Sequence, residues 1–410
     1  MATPLYKTVI ENAAECDKKG NKGLWFDRFF DQYDENKKWE VLKPSTNDTD
    51  KGNAYWLTKH FHNKKVGNDV QLTRHSTQQQ QLAKGLQGNS HIFSADWHFV
   101  TGMGNPHPVE NGFAWHPTLG VPYLTGAAVK GIVRNYIENY LDDSQENRQK
   151  LLLNWFGSTD KDPSAEGYIS ETGNIIFFDT LPIEPVTLVV DIMTPHMGDW
   201  YQNGAEKPNT AETVPADWHD PVPVTFLACK NISLQFSYAL RQYPIDEKYT
   251  PEVIELDDIK TVLTQALEYF GAGGKTATGY GQFNLDKKRE AVLEQQAKEQ
   301  QEAQKAQKEL EQAKSSMSPL AGEFFAYAQA HNLKSDKNKN AFWKEGMVEK
   351  WLEKLEENFD KELYEQLKEL MNIHFKGALA NPEKTQGKKN KPVYKPRVQK
   401  VAKQINSLST

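Results

Sequence analysis

The chain has 410 residues, 25% of them charged and 38% hydrophobic, with a formal net charge of −6. That length suits two or three domains, and no run approaches the roughly 18 apolar residues of a membrane span; the longest, Val186–Met193, is already broken by Asp191. Two cysteines, Cys16 and Cys229, are too few for a disulfide framework or a cysteine zinc site; with no secretory pattern at the N-terminus, they predict a reducing, cytoplasmic location.

Residues 1–89 read as a mixed region, part of the core or packed on it. Leu24–Phe30 predicts a short helix, Lys43–Lys51 a polar loop, and Gln78–Gln81 a solvated helix face or loop. Residues 90–286 read as one compact domain of mixed helix and strand. Strands are predicted at Ile92–Val100, Ile175–Asp179, Val186–Met193, Ile232–Leu240 and Tyr280–Leu285, and helices at Ala127–Leu141, Gln145–Trp155 and Asp257–Phe270. Residues 196–223 read as an irregular insert rich in Pro, Asp, Asn and Trp.

The composition then changes. Residues 287–315 hold 7 basic residues, 6 Glu, 7 Gln and 5 Ala but only one Val and two Leu. Such a segment favours helix yet cannot sustain a coiled-coil seam, so it predicts a charged helical spacer about 43 Å long. Residues 316–380 return to helical apolar spacing and predict a small helical domain. Residues 384–403 carry 7 Lys and one Arg with no acid, which predicts a basic, disordered tail over 381–410. From 287 onward Lys and Arg outnumber Asp and Glu by 24 to 18; the preceding residues hold 25 against 37. Bulk charge therefore points to no nucleic-acid partner for the larger part, and any such binding needs a local patch.

Two stretches carry chemistry. The first is GAGGKTATGYGQF, residues 271–283. Successive glycine N–H groups with one Lys and one Thr suit a phosphate cradle. A nucleotide P-loop fails here, because its first glycine would fall on Tyr269 and because a helix precedes the loop and a strand follows it. The second is HPTLGVPYLTGAAVKGIVRNYIENYL, residues 116–141. Thr125 can cap a helix starting at Gly126, and Lys130 and Arg134 then lie four apart on one face, a spacing that suits successive phosphates of a single strand.

Together these stretches resemble the RAMP superfamily of CRISPR RNA-binding proteins. Every specified position of its glycine loop is present: Gly271, Gly273, Lys275, Thr276, Gly279, Gly281 and Phe283. More narrowly, the segments TGMGNPHPVENG (101–112), DIMTPHMGDWYQNG (191–204) and PADWHDPVPVTFL (215–227) resemble the family of sixth subunits of type III-B (Cmr) effector complexes. The resemblance covers roughly residues 90–286. It implies an α+β class with a ferredoxin-like (RRM-like) core and irregular inserts, here followed by the spacer and a small all-α domain. It also implies RNA binding through the backbone, without catalysis, cofactor or metal. The RNA-contacting candidates are Lys130, Arg134, Gly271, Gly273, Gly274, Lys275, Thr276, Gly279 and Gly281, with Gly102 and Gly104 in second place. The implied partners are guide RNA, target RNA as a second candidate, the repeated backbone RAMP subunit, the first subunit and the small helical subunit. One departure is the turn before the helix, where Ala127 and Ala128 stand in place of two hydroxyl residues common in the family.

The enzymatic alternative is a metal-independent endoribonuclease that processes guide precursors, with a histidine as general base. Its candidates are His60, His62, His75, His107, His196 and Asp199; His60-x-His62 would place two imidazoles on one face of a strand. Trp200, Tyr201 and Trp218 could stack bases, though packing against another subunit is the simpler use. A further alternative assigns 316–410 to an accessory interaction module.

Overall fold

The structure is a computed structural model. It describes residues 16, 20–44, 49–158, 172–207, 210, 211, 213–216, 218–242, 253–335, 343, 346–386 and 391–408. The chain divides into two units, Met1–Ala291 and Val292–Thr410.

The first unit begins with α1 (Lys22–Arg28), a β1 (Tyr33–Asp34)–β2 (Glu40–Val41) hairpin, α2 (Asn53–His60), β3 (Lys65–Val66) and α3 (Asp69–Gly85). It continues through β4 (Asn89–Ala95), α4 (Gly126–Asn139), α5 (Gln145–Phe156), β5 (Ile175–Phe177), β6 (Leu181–Pro182) and β7 (Val186–Met193). After α6 (Gly198–Asn203) come β8 (Val224–Lys230), β9 (Ser233–Leu240), α7 (Leu256–Phe270) and β10 (Phe283–Leu285). One antiparallel sheet has the order β10-β4-β9-β5, with β6 also paired to β9; a second has the order β3-β7-β8. Strand β8 falls just after the stretch read as an irregular insert and is absent from the sequence reading, although its Val-Thr-Phe-Leu-Ala-Cys run has strand character.

The two faces of the larger sheet differ because residues alternate along each strand. On one face Phe93, Phe236 and Phe283 are fully buried, with ring centroids 5.2 and 6.0 Å apart along the series. They share a core with Val129, Val133 and Ile137 of α4 and with Ile259, Val262, Leu263 and Leu267 of α7. The other face is polar. Ser90 bonds Ser237 and Ser94 bonds Ser233, each at 2.8 Å across β4–β9. Gln235 donates to Gln79 Oε1 at 2.9 Å and accepts from Gln80 at 2.7 Å, and Gln79 donates to the Asp179 carbonyl at 2.7 Å. Gln79 is thus buried, and the expectation of a solvated glutamine run fails at this position. A polar helix seals a polar sheet face because each buried amide finds a partner there.

Helix α8 (Lys287–Ser315) spans the boundary between the units. The second unit then holds α9 (Pro319–Ala330), α10 (Met347–Glu357), α11 (Lys361–His374), a β11 (Thr385–Gln386)–β12 (Lys391–Pro392) hairpin and α12 (Pro396–Ser407). That hairpin lies within 381–410, read from sequence as a disordered tail, and not within the all-α domain read over 316–380 of this unit. Phe324, Leu352, Leu355, Leu363 and Leu367 form the unit's core together with Val398, Val401, Ala402 and Ile405. The last four, all on α12, overturn the expectation of a disordered tail for 391–408. The lysines of this segment mask an i, i+3, i+4, i+7 apolar stripe, and burial of that stripe folds it. Arg397 adds a two-pronged pair to Glu349, with Nε and Nη2 each 2.8 Å from a carboxylate oxygen. The pair is partly exposed, so Arg397→Ala is expected to cost only about 1 kcal/mol. Hydrogen exchange should show about 5-fold less protection in peptides covering 396–407. A wild-type segment with no protection would contradict its being folded.

Among the described residues no helix is long and apolar enough to cross a membrane. Cys229 is a buried free thiol whose pKa is pushed well up by burial.

Candidate nucleic-acid interface

The glycine loop, 271–281, joins α7 to β10 and is laced to the segment that follows β4. Gly274 N–H donates to the Val100 carbonyl and Gly281 N–H to the His98 carbonyl, both at 2.7 Å; Ala272 N–H donates to the Gly281 carbonyl at 2.8 Å. The approach is so close that side chains are excluded. A Cβ on Gly273 would lie 2.1 Å from the Val100 oxygen, and one on Gly281 would lie 2.0 Å from the Ala272 oxygen. Both glycines also have positive φ, at 93° and 65°. These glycines are therefore required by the loop's own packing.

What remains open is the centre of the loop. Lys275 takes the left-handed conformation at φ 59°, unusual for a non-glycine residue, and starts the 3-10 turn Thr276–Thr278. The N–H groups of Gly273, Lys275, Thr276 and Ala277 donate to no group among the described residues. Three of them are consecutive, the arrangement that forms anion-binding concavities. The Lys275 ammonium makes no ion pair among the described residues. It lies 3.9 Å from Met193 Sδ and over the rings of Phe226 and Tyr280, at 5.4 and 5.9 Å. Gly279, at φ 89°, faces open space.

Behind the lysine sits a cluster absent from the sequence reading. Tyr280 donates to Asp191 Oδ2 at 2.7 Å, and His98 Nδ1 lies 3.3 Å from the same oxygen. Burial pushes the Asp191 carboxyl up, but hydrogen bonds from Tyr280, the Ile192 N–H and His98 outweigh it and hold the group below its ordinary value. Burial first, and then the bond to Asp191, raises the Tyr280 phenol well above its ordinary range. The one signal available in the sequence was Asp191 itself, a lone acid in an apolar strand. Trp97 packs outside this cluster, parallel to His98 at 4.6 Å, and remains half exposed.

The second stretch lies on α4. Thr125 caps the helix, its Oγ1 accepting from Ala128 N–H at 3.2 Å, while Gly126 N–H donates to Asp179 Oδ1 at 2.8 Å. A carboxylate thus already occupies the end of the helix where a phosphate would have to sit, which weakens any contribution of that turn. Lys130 stands over the Phe156 ring of α5 at 5.9 Å, and Arg134 lies 3.9 Å from Glu138. The partners of both cations lie on α4 and α5, and Arg134 is partly neutralised.

The histidine candidates are engaged with the fold. His60 ends α2 and packs on Trp25 at 4.6 Å, and His62 accepts from Val190 N–H at 3.1 Å from the turn beyond; the two are not on a strand. His107 stacks on Phe26 at 4.0 Å and donates to its carbonyl at 2.9 Å; burial lowers its pKa. His75 meets His116 edge-on at 6.0 Å. His196 bonds the His219 carbonyl at 3.1 Å, and no His/Cys/Asp/Glu group suited to a metal is found among the described residues. Tyr201 and Trp218 are exposed.

The sequence signature of the RAMP superfamily matches residues 94–284, the segment that contains this loop and the strands around it. This segment is a RAMP-superfamily domain. The chain is 24% identical over 239 residues to the CRISPR system Cmr subunit Cmr6 of Pyrococcus furiosus, a match covering 47% of this chain and 66% of that protein. It is 23% identical over 180 residues to the Cmr6 subunit of Saccharolobus solfataricus, covering 43% of this chain and 50% of that protein. The chain therefore spans less than two thirds of the length of either relative. A cryo-EM structure of a type III-B Cmr-beta complex bound to cognate target RNA contains a similar chain, 20% identical, with a TM-score of 0.35 over 54% of this chain and 66% of that one. Beyond residue 284 the RAMP signature ends, so α8 and the second unit lie outside it.

Proposed function

We propose that this chain is a non-catalytic RNA-binding subunit of a type III-B CRISPR effector ribonucleoprotein. It holds guide RNA by its phosphate backbone at the end of the backbone filament, in the cytoplasm, beside the repeated RAMP subunit, the first subunit and the small helical subunit. The observation that carries this reading is the centre of the glycine loop: N–H groups without a partner among the described residues, beside a Lys275 ammonium that no described acid neutralises. Amides and ammonium groups read phosphates, not base edges, which suits a subunit that must accept guides of any sequence. The sheet order β10-β4-β9-β5, with α4 and α7 as the two crossings, supports a ferredoxin-like core, because it places the fourth strand beside the first and the third beside the second.

Lys275→Ala is expected to weaken binding to single-stranded RNA and to lower the slope of log K against log salt by about 1, with unchanged thermal stability. Lys130→Ala should act in the same direction but more weakly, since its ammonium already lies over Phe156. Filter binding across a salt series checks this; two variants that bind like wild type would remove the loop and α4 from the interface. A further candidate base for the endoribonuclease alternative, outside the set read from sequence, is His98, whose Nδ1 lies 3.3 Å from Asp191 Oδ2. Incubation with a repeat-containing precursor in EDTA is expected to give no cut; specific cleavage lost in His98→Ala would favour the enzyme instead.

A further inference from the structure

Trp97 packs on the His98 and Tyr280 rings next to the glycine loop. Its ring is parallel to the His98 ring, at 4.6 Å and 13°, and lies 4.8 Å from the Tyr280 ring. Those two supports are themselves fixed, since both bond Asp191 and the His98 carbonyl accepts from Gly281 N–H. On the other side of the sequence neighbour, Asp96 N–H donates to the Gln282 carbonyl at 2.9 Å and Asp96 Oδ1 accepts from Asn284 at 2.7 Å. The indole is thus held in place on one side while 49% of its surface stays exposed. Single exposed aromatics are common and mean little alone. This one shares the Tyr280 ring with the Lys275 ammonium, at 4.8 and 5.9 Å from that ring's centroid. An immobilised aromatic face beside a cation is the arrangement that binds single strands without regard to sequence, one element for the base and one for the phosphate.

We infer that Trp97 is a stacking platform for one base of the RNA strand whose phosphate lies at Lys275; this rests on the RNA-binding reading above. Preordering matters because a ring already locked on His98 and Tyr280 loses little freedom when a base covers it. Every base offers a π-face, so the contact adds affinity without sequence preference.

The test uses the full chain, a labelled oligouridine strand, and an abasic strand of the same length. Trp97→Ala should bind oligouridine about 5- to 100-fold more weakly, with the salt slope of wild type, because no phosphate contact is lost. Trp97→Phe should keep most of the affinity. On the abasic strand Trp97→Ala and wild type should be equal, which separates stacking from any general damage to the fold. If Lys275→Ala weakens binding while Trp97→Ala does not, the stacking platform is overturned and the RNA-binding reading stands. If wild type binds neither strand, both fall. If Trp97→Ala binds RNA normally yet fails to assemble with the other subunits, the indole is a protein contact and the inference is overturned.

Discussion

Gly281→Ala is expected to destabilise the first unit by about 3 kcal/mol, or roughly 6–12 °C in Tm. Two costs combine. The backbone at Gly281 has φ 65°, which a side chain rarely adopts, and the new Cβ would meet the Ala272 oxygen at 2.0 Å. That oxygen is backbone, in a residue whose own N–H donates to the Gly281 carbonyl, so relief requires the loop to move away from His98 and Val100. Gly279→Ala isolates the first cost, because φ is 89° but no atom lies within 4 Å of its Cβ; about 1 kcal/mol is expected there. Calorimetry on both variants checks the pair. Equal and small effects would mean that the loop is not packed on residues 98–100 as described. The contrast also separates the two roles of the motif: Gly273 and Gly281 build the loop, while the centre from Lys275 to Gly279 faces outward.

Glu290→Gln is expected to cost about 2–4 kcal/mol. Glu290 is buried at the start of α8, where its carboxylate accepts from His91 Nδ1 and Ile92 N–H, each at 2.8 Å, with the Lys260 ammonium at 3.7 Å. The amide keeps the shape but loses the charge that the Lys260 ammonium and these donors face. Burial pushes the carboxyl up; the bonds from His91 and Ile92 and the nearby Lys260 charge outweigh it and hold the group below its ordinary 4.5. A carboxyl with a depressed folded-state pKa contributes stability that is complete above the unfolded value and is lost as pH falls through the folded one. The margin of wild type over Glu290→Gln should therefore be full at neutral pH and shrink below about pH 4.5. Urea denaturation at a series of acid pH values checks the sign; a margin that widens on acidification would contradict it.

Local signals were legible and cross-chain ones were not. The stripe Ile259, Val262, Leu263, Ala266 and Leu267 marks α7 from sequence alone, and all five are buried. The pattern of the glycine loop was readable too, but that Gly273 must admit the Val100 carbonyl depends on a residue far earlier in the chain. The pairing of His98, Asp191 and Tyr280 draws on three distant segments, so no spacing rule reveals it. Gln79 looked solvated because nothing local shows that β9 presents Gln235 and Ser237 to it. The C-terminal segment was misread for a different reason. Its lysines dominate the composition, yet Val398, Val401, Ala402 and Ile405 already had helical spacing, and four apolar residues suffice when a preformed core receives them.

The central claim is that the loop from Gly271 to Gly281 holds guide RNA. Its most direct test is to purify the tagged chain from the cells that make it and sequence the RNA that comes with it. The account predicts short RNAs that share one repeat-derived 5′ segment followed by varied sequence, and their loss in Lys275→Ala. No RNA, or a sample of unrelated cellular RNA, would contradict it.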